Sequence, residues 1–358
     1  MSAPAPRILV IRRRYLGDIV LLGSVFRNLR LHWPAAHVTA LVESPHAGIL
    51  ALNPDVDAVL PMPRSLSNPP AWWRLVRALR AGRFTHVLDF DNTDKTALLA
   101  RFTGAPLRVT LHLENVRRHF PSFYTGSAFV SSPDYSAQSI AETYLRLLAP
   151  AGVPVADHRV RLVPREADLA FVRDLLGRLF CSVVPPGTRF LLVHPGTRSP
   201  FRLWPPDHFG EICRRVRSEL GAKVVLVAGP KEQEILRQVL RHAGADQMVI
   251  DQPLSVPQFA ALAAQCDLVL CHDSGPMHVA AAVGTPVVAL YGSQNATVWQ
   301  PLGDGHTVLQ PLMPCRNCLA PGVCVPGDSY RNHCIRNLTV DDVFAAVRRQ
   351  LSRPAAPP

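Results

Sequence analysis

The chain has 358 residues, of which 48% are hydrophobic and 18% charged, a balance typical of a globular protein of about two domains. No stretch approaches the roughly 18–20 uninterrupted apolar residues of a membrane span, and the N-terminal apolar run is too short for a secretory signal. We therefore expect a cytoplasmic protein. The net charge of +11 favours anionic partners such as nucleotides, phosphorylated sugars or anionic lipid surfaces.

The first half of the chain alternates apolar strands with helices. Strands are predicted at 7–11, 37–42, 85–90 and 106–111, and helices at 18–33, 45–53, 72–82, 93–104 and 140–152. Apolar strands separated by helices are typical of βαβ units and a parallel sheet. The stretch 112–136 has no clear period and is predicted to be irregular, and the proline-bearing segment 153–164 is predicted to link two domains.

The same alternation restarts in the second half. Strands are predicted at 189–194, 223–229, 247–251, 267–271 and 286–290, and helices at 165–180, 206–221, 231–244, 255–265 and 338–351. The predicted divisions are an N-terminal domain at 1–160, a second domain at 161–338 and a C-terminal helix and tail at 339–358. Ligands of such folds bind beyond the carboxyl ends of the strands, so we expect the site in the cleft between the domains.

Polar residues follow the first predicted strand, in the loop 12–18. Gly17 permits a tight turn and a close backbone approach. Asp18 lies at the first turn of the next helix. From the spacing alone, an ordinary helix cap is the simpler explanation of an aspartate there, and a carboxylate that acts as a general base is the alternative.

A second polar loop, 194–204, follows the first strand of the second domain. Gly196 ends the strand, Thr197 offers a hydroxyl and Arg202 offers a cation. Hydroxyls, loop amides and an arginine together form the usual surroundings of a bound phosphate. A polar surface loop is the simpler alternative.

The third polar loop begins the stretch CHDSGPMHVAAAVGTPVVALYG, from Cys271 to Gly292. Asp273, Ser274 and Gly275 fall where a helix begins and its first amides lack partners. They are therefore predicted to cap the helix and to hold a phosphate. His278 belongs to the same turn.

Several common signatures are missing from the sequence. It has neither the GxGxxG of dinucleotide-binding folds nor the GxxxxGK[ST] of P-loop enzymes. Asp89-Phe-Asp91 matches an aspartate-x-aspartate metal motif, but so short a pattern arises easily by chance. The sequence also lacks the aromatic–basic platforms and basic helices of nucleic-acid-binding proteins, so we expect no nucleic-acid partner.

Eight cysteines divide into two groups. Four of them, Cys315, Cys318, Cys324 and Cys334, lie near the C-terminus, where the first pair has the spacing of zinc ligands. The second pair lacks that spacing, which favours thiols without a metal. The remaining four, Cys181, Cys213, Cys266 and Cys271, lie on apolar faces and are predicted to fill the cores.

The three strand-end motifs together resemble glycosyltransferase family 9, whose best-known members are the ADP-heptose:lipopolysaccharide heptosyltransferases. The resemblance rests on LGD after the first strand, on HPGTRSPFRLWP and on DSGPMHVAAAVGTPVVALYG, in that order, and it extends over roughly residues 7–345. The C-terminal cysteine run is also similar to the tail of many members.

The resemblance implies an α/β protein of the GT-B class, with two Rossmann-like domains whose parallel sheets face a central cleft. It implies that the N-terminal domain binds the acceptor and that Asp18 is the catalytic base. The donor-binding positions that it implies are Thr197, Arg202, Asp273, Ser274, Gly275 and His278. Arg202 stands where the family usually has a lysine that contacts the donor diphosphate, so the positive charge is kept.

The implied reaction is an inverting, metal-independent transfer of heptose from ADP-heptose to a lipopolysaccharide-core acceptor, either lipid A–Kdo or a heptosyl acceptor, without a cofactor. The basic surface is expected to contact the anionic inner face of the inner membrane peripherally. Two alternatives stay open: a GT-B transferase or epimerase that uses a UDP- or GDP-linked sugar, and a non-catalytic protein that binds an anionic polymer. The oligomeric state is likewise open.

Overall fold

The computed structural model describes residues 4–65, 67–180, 187–199, 202–244, 247–312 and 333–353. The chain divides into two compact units, unit 1 at Met1–Val163 and unit 2 at Pro164–Pro358. Each unit is built around a six-stranded sheet, and every strand pairing is parallel. The predicted α/β class is therefore confirmed. None of the described helices is long and apolar enough to span a membrane.

Unit 1 alternates strands and helices along its length. Its strands are β1 (Arg7–Ile11), β2 (His37–Glu43), β3 (Ala58–Met62), β4 (His86–Asp89), β5 (Leu107–Leu113) and β6 (Gly126–Val130). Its helices are α1 (Leu16–Leu21), α2 (Gly23–His32), α3 (Ala47–Leu50), α4 (Pro69–Ala81), α5 (Asp94–Phe102), α6 (Ser132–Ala137) and α7 (Ile140–Leu145). Short 3-10 segments lie at Ser44–His46, Pro121–Phe123 and Arg146–Ala151.

Unit 2 repeats the alternation. Its strands are β7 (Phe190–His194), β8 (Lys223–Val227), β9 (Met248–Ile250), β10 (Leu268–His272), β11 (Val287–Leu290) and β12 (Thr307–Leu309). Its helices are α8 (Glu166–Phe180), α9 (Pro206–Leu220), α10 (Gln233–Ala243), α11 (Val256–Ala264), α12 (Gly275–Ala282), α13 (Ala296–Trp299), α14 (His333–Arg336) and α15 (Val340–Leu351).

The strand order reverses at the centre of each sheet. The order is β3-β2-β1-β4-β5-β6 in unit 1 and β12-β11-β10-β7-β8-β9 in unit 2, so β1 lies beside β4 and β7 lies beside β10. Ile11 is in register with Asp89, and His194 with Cys271. In open α/β sheets, ligands bind in the crevice at the carboxyl ends of such a strand pair. Each unit therefore has one favoured place for a site.

Three strands, β3, β6 and β12, were not predicted, and each of them lies at the edge of a sheet. Edge strands lack the continuous apolar run of a central parallel strand, and most residues of these three are only partly buried. Pro61 and Gly126 further weaken the strand pattern. The stretch predicted to be irregular, 112–136, thus contains β6 and most of α6.

The helix boundaries also differ in detail from the prediction. The predicted helix 18–33 begins earlier, at Leu16, and Leu22 separates it into α1 and α2. At the N-terminus of α15, the Thr339 side chain accepts a hydrogen bond from the backbone N–H of Asp342 at 3.1 Å and so caps the helix.

The cores consist of the apolar strands and the inner helix faces. In unit 2 the fully buried Trp204 and Phe209 pack together, and α15 adds Phe344 and Val347 to the same cluster. Cys213, Cys266 and Cys271 are buried, which confirms that they fill the core. Cys181 lies outside the described residues.

A buried asparagine, Asn28 of α2, fastens the segment after Ala151 to the core of unit 1. Its side-chain Oδ1 accepts from the backbone N–H of Ala156 at 2.6 Å and of Asp157 at 3.0 Å. Its Nδ2 donates to the carbonyl oxygens of Ser24 at 2.8 Å and Asp157 at 2.6 Å. The amide thus has a partner for every hydrogen and for both lone pairs.

We expect Asn28→Ala to lower the free energy of unfolding by about 3 kcal/mol, because each buried group left without a partner costs roughly 1–3 kcal/mol. Urea denaturation followed by circular dichroism measures this loss. Asn68→Ala is the control, since it removes only the exposed cap of α4 and should cost about 1 kcal/mol. Equal losses in the two variants would contradict the assignment.

Candidate functional site

Asp18 lies in the first turn of α1, just beyond the end of β1, and only 5% of the residue is exposed. Its Oδ1 accepts from the Arg12 guanidinium and, at 2.6 Å, from the Tyr144 hydroxyl. Its Oδ2 accepts from the backbone N–H of Tyr15 at 3.2 Å. The last contact is a helix-capping bond, but the first two belong to a buried polar cluster. A carboxylate accepts about four hydrogen bonds, so three donors leave room for one more.

Arg12 connects Asp18 to the end of β4. Its Nη1 donates to the Phe90 carbonyl at 2.9 Å and lies 3.2 Å from Asp91 Oδ1. Burial alone would lower the pKa of Arg12, but Tyr144, Asp18 and Asp91 together raise it above its ordinary value. Arg12 is therefore a fixed positive charge at the centre of this edge of the sheet.

Tyr144 reaches the same place from α7. Its hydroxyl is buried, and burial raises its pKa well above the ordinary value despite the opposing charge of Arg12. The hydroxyl therefore stays protonated and donates to Asp18. Burial, followed by the charge of Asp18, also raises the pKa of Tyr135 on α6. Asp18 is thus held by donors from two directions.

The Asp89-Phe-Asp91 motif lies at the end of β4, beside β1. Asp89 is fully buried and accepts from the Tyr124 hydroxyl at 2.6 Å and from the backbone N–H of Asp91 at 3.0 Å. Burial and the charge of Asp91 raise the pKa of Asp89 to about 6. Asp91 accepts from the backbone N–H of Arg13 at 2.7 Å. Both carboxylates therefore fasten loops at this edge.

In unit 2, Arg202 and Asp273 form an ion pair beside the adjacent ends of β7 and β10. Arg202 Nη1 lies 3.0 Å from Asp273 Oδ2 and donates to the Asp273 carbonyl oxygen at 3.1 Å. Asp273 is 4% exposed, whereas the Arg202 side chain is 28% exposed. The guanidinium has five N–H donors, so most of them stay available to a ligand.

Burial raises the pKa of Asp273 to about 6, and the charge of Arg202 opposes this shift. Near neutral pH the carboxylate is a buried anion with one cationic partner. It can accept hydrogen bonds from hydroxyl groups of a ligand, and such bonds to a charged acceptor are roughly twice as strong as neutral ones.

The motif that follows Asp273 begins α12. Ser274 precedes the helix, but its hydroxyl donates to the His272 carbonyl at 3.2 Å and makes no bond to a helix amide. The expectation that Ser274 caps the helix through its side chain is therefore wrong, because that side chain turns back toward β10. The first turn contains Gly275 and the buried His278. Without a side-chain cap, this N-terminus can donate to an anion.

The loop after β7 contains Gly196 and the half-buried Thr197. A Cβ on Gly196 would lie 2.2 Å from the carboxyl group of Glu232, so a larger residue there would displace that carboxylate. Glu232 Oε2 accepts from the backbone N–H of Gly229 at 2.9 Å and lies 3.6 Å from His194 Nε2. Burial lowers the pKa of His194, opposed by Glu232. Glu232, from the segment between β8 and α10, thus places a carboxylate close to the end of β7.

His272, the last residue of β10, fixes the segment that contains Arg202. Its Nε2 accepts from the backbone N–H of Trp204 at 2.8 Å, which requires a neutral ring with the hydrogen on Nδ1. Burial, with the charge of His194, lowers the pKa of His272 to about 3. The Trp204 indole donates to the Leu338 carbonyl at 2.9 Å. Arg202 is thereby connected to the core.

The predicted site residues fall into two groups. Gly17 and Asp18 follow β1 in unit 1, where Gly17 is buried inside α1 rather than in a turn. The predicted loop glycine Gly196 follows β7 in unit 2, and the predicted donor-binding residues follow β7 or β10: Thr197, Arg202, Asp273, Ser274, Gly275 and His278. Cys315, Cys318 and Cys324 lie outside the described residues, and Cys334 is buried in α14. The described residues contain no group of three or more His, Cys, Asp or Glu residues able to hold a metal ion.

Sequence reasoning missed Arg12, Tyr144, Glu232 and His272. Glu232 follows the end of β8, so the rule that ligands bind at strand carboxyl ends could have found it. His272 stands inside a quoted motif, but its bond to Trp204 joins residues 68 positions apart. Tyr144 lies 126 residues from Asp18 and carries no local signal.

Comparisons with known proteins agree on one family. The family model for glycosyltransferase family 9 (heptosyltransferase) matches residues 72–322. Lipopolysaccharide heptosyltransferase 2 of Escherichia coli is 27% identical over 324 residues, which cover 85% of this chain and 88% of that protein. Lipopolysaccharide heptosyltransferase 3 of Escherichia coli is 25% identical over 308 residues, with coverages of 80% and 83%.

Solved structures have the same architecture. A glycosyl transferase family 9 protein from Veillonella parvula superposes with a TM-score of 0.83 at 21% identity, covering 98% of both chains. An Escherichia coli heptosyltransferase solved with ADP superposes with a TM-score of 0.73 at 18% identity, covering 96% of this chain and 99% of its own. The GT-B fold, with one Rossmann-like unit in each half, is therefore confirmed.

The raised pKa of Asp273 predicts a specific pH dependence of stability. Between pH 3.8, its ordinary value, and about 6, the folded state binds the proton more tightly than the unfolded state. Stability therefore falls as pH rises through this window. Asp273→Asn should remove this part of the fall. At pH 8 its free energy of unfolding should exceed that of the native protein by up to about 3 kcal/mol, because each unit of pKa shift corresponds to about 1.4 kcal/mol.

Urea denaturation at pH 4 and pH 8 measures the difference. The stability of the variant should still fall with rising pH, but by less than that of the native protein. The remaining fall comes from Asp89, whose pKa is also raised to about 6. A stability difference between Asp273→Asn and the native protein that is the same at both pH values would contradict the assignment.

Proposed function

The chain belongs to glycosyltransferase family 9 and is a glycosyltransferase, and from that premise we propose that it transfers heptose from ADP-heptose to a lipopolysaccharide-core acceptor with inversion at the anomeric carbon. The names of the curated relatives, lipopolysaccharide heptosyltransferases 2 and 3, support this acceptor class. A related structure solved with ADP supports the nucleotide. The proposed location is the cytoplasm.

The Arg202–Asp273 ion pair is the observation that carries the proposal. It places a cation with free donors and a buried carboxylate at the point of unit 2 where doubly wound folds bind nucleotides. The guanidinium matches the oxygens of a diphosphate, and the carboxylate matches the hydroxyls of a sugar. A nucleoside diphosphate sugar contains both groups, joined at the bond that the reaction breaks.

The neighbouring groups extend the donor site. The N-terminus of α12, at Ser274 and Gly275, and the Thr197 hydroxyl offer further donors to the diphosphate. The Glu232 carboxylate can accept hydrogen bonds from hydroxyls of the nucleoside or of the sugar. Together with Arg202, the N-terminus of α12 and the Thr197 hydroxyl stabilise the negative charge that develops on the departing ADP, and such preorganised donors lower a barrier by several kcal/mol.

Asp18 acts as the general base in this proposal. Its three donors hold the carboxylate in one orientation and leave an acceptor position for the acceptor hydroxyl. Asp18 removes the hydroxyl proton while the oxygen attacks the anomeric carbon and the C–O bond to ADP breaks. A single displacement of this kind inverts the configuration at that carbon. The protein groups supply all the charge stabilisation, so the step as written needs no metal ion.

Isothermal titration with ADP, UDP and GDP tests the donor assignment. We expect the native protein to prefer ADP and Arg202→Ala to bind ADP at least tenfold more weakly, because a charge-assisted hydrogen bond contributes roughly 1.5–3 kcal/mol. Preference for UDP or GDP would replace ADP-heptose by another nucleotide sugar. Unchanged ADP affinity in Arg202→Ala would remove Arg202 from the site.

Asp18→Asn separates catalysis from donor binding. The variant should bind ADP as the native protein does, since the substitution lies in unit 1. Its turnover of ADP-heptose should fall by a factor of about 100 to 10,000, the usual contribution of a general base. Retained turnover would identify Asp18 as a helix-capping residue only.

A further inference from the structure

The outer face of α4 in unit 1 carries an unusual concentration of positive charge. Between Asp57 and Asp89 the sequence contains five arginines and no acidic residue. Three of the arginines, Arg74, Arg77 and Arg80, are exposed on α4 itself. Successive residues of an α-helix are rotated by about 100° around its axis, so these three arginines and Trp73 lie within an arc of about 120° on one face of α4. The buried Leu75 and Leu79 lie on the opposite side, so the helix packs on the core without using this face.

These arginines differ from three exposed arginines on helices of unit 2. On α8, α9 and α10, the exposed Arg173, Arg214 and Arg237 each pair with a glutamate, at distances of 2.5 to 2.6 Å. Within the described residues, none of the three α4 arginines pairs with a carboxylate, and their helix has no acidic residue. The α4 face is therefore a cationic surface without carboxylate partners among the described residues, whereas a neighbouring glutamate neutralises each of Arg173, Arg214 and Arg237.

Trp73 gives the face a second property. It is 63% exposed, the highest exposure of any aromatic residue among the described large hydrophobics, and the Arg77 guanidinium lies 5.5 Å from its ring centre. The neighbouring helix α5 exposes Leu98 and Phe102 at 39% and 42%. Tryptophan with arginine neighbours is typical of surfaces that lie at the headgroup level of a bilayer.

We propose that the outer face of α4, with Trp73, Arg74, Arg77 and Arg80, docks on a bilayer of anionic phospholipids. The arginines attract the lipid phosphates, and Trp73 inserts its ring among the headgroups without a membrane span. Arg74 also lines a groove of about 600 Å³ between α4 and the segment that follows β3, together with Arg64 and Leu75. Docking at this face does not depend on the identity of the transferred sugar.

Vesicle co-sedimentation of the full-length protein tests the proposal. The probes are vesicles of phosphatidylglycerol and phosphatidylcholine in equal parts and vesicles of phosphatidylcholine alone. We expect binding to the anionic vesicles only, with an affinity that falls as salt is raised. The triple variant Arg74→Gln, Arg77→Gln, Arg80→Gln should bind about a hundredfold more weakly, at about fivefold for each arginine. Trp73→Ser should bind the anionic vesicles several-fold more weakly, although it leaves the net charge unchanged.

The matched control is the triple variant Arg173→Gln, Arg214→Gln, Arg237→Gln, which lowers the net charge by the same amount on exposed helices of unit 2. It should bind within about twofold of the native protein. An equal loss in both triple variants, or none in the α4 variant, would overturn the proposal. Tighter binding to heparin than to anionic vesicles at the same ionic strength would also overturn it, in favour of a polyanion partner. Thermal denaturation of each variant verifies that it is folded.

Discussion

Charged groups buried at the centre of each sheet determine most of what this chain can do. A parallel sheet that is covered by helices on both faces has polar backbone and side-chain groups to satisfy at its carboxyl edge. Unit 1 satisfies them with Arg12, set among Asp18, Asp91 and Tyr144. Unit 2 has the pair of Arg202 and Asp273 there, with Glu232 and His272 beside the same strand ends. The two edges therefore differ: the first is densely cross-connected, and the second leaves cationic donors available.

This difference corresponds to the two roles in a group transfer. A general base must be held in one orientation, and the donors around Asp18 do this: Arg12 and Tyr15 from the segment between β1 and α1, and Tyr144 from α7. A diphosphate site must keep unsatisfied donors, and Arg202 and the uncapped N-terminus of α12 keep them. The stability of the fold is reduced in return, since the raised pKa values of Asp89 and Asp273 show that their charged forms are disfavoured by burial.

Much of the fold could be predicted because the central strands are apolar throughout and their period changes sharply at the helices. β1, β4, β7 and β10 were all placed correctly, and with them the strand ends where the candidate site lies. The edge strands β3 and β6 were missed because a half-buried strand with proline, glycine or serine resembles a loop, and β12 was missed because it has only three residues, all half-buried. The contacts of Tyr144 with Asp18 and of His272 with Trp204 depend on long-range packing, which no local pattern encodes.

The configuration of the product sugar tests the central claim most directly. The protein would be incubated with ADP-heptose and a lipopolysaccharide-core acceptor, and NMR would determine the anomeric configuration of the new bond. A single displacement with Asp18 as base requires the configuration opposite to that of the donor. Retention of the donor configuration would contradict the account, because it would require a covalent intermediate or a front-side attack in which Asp18 has no role as base.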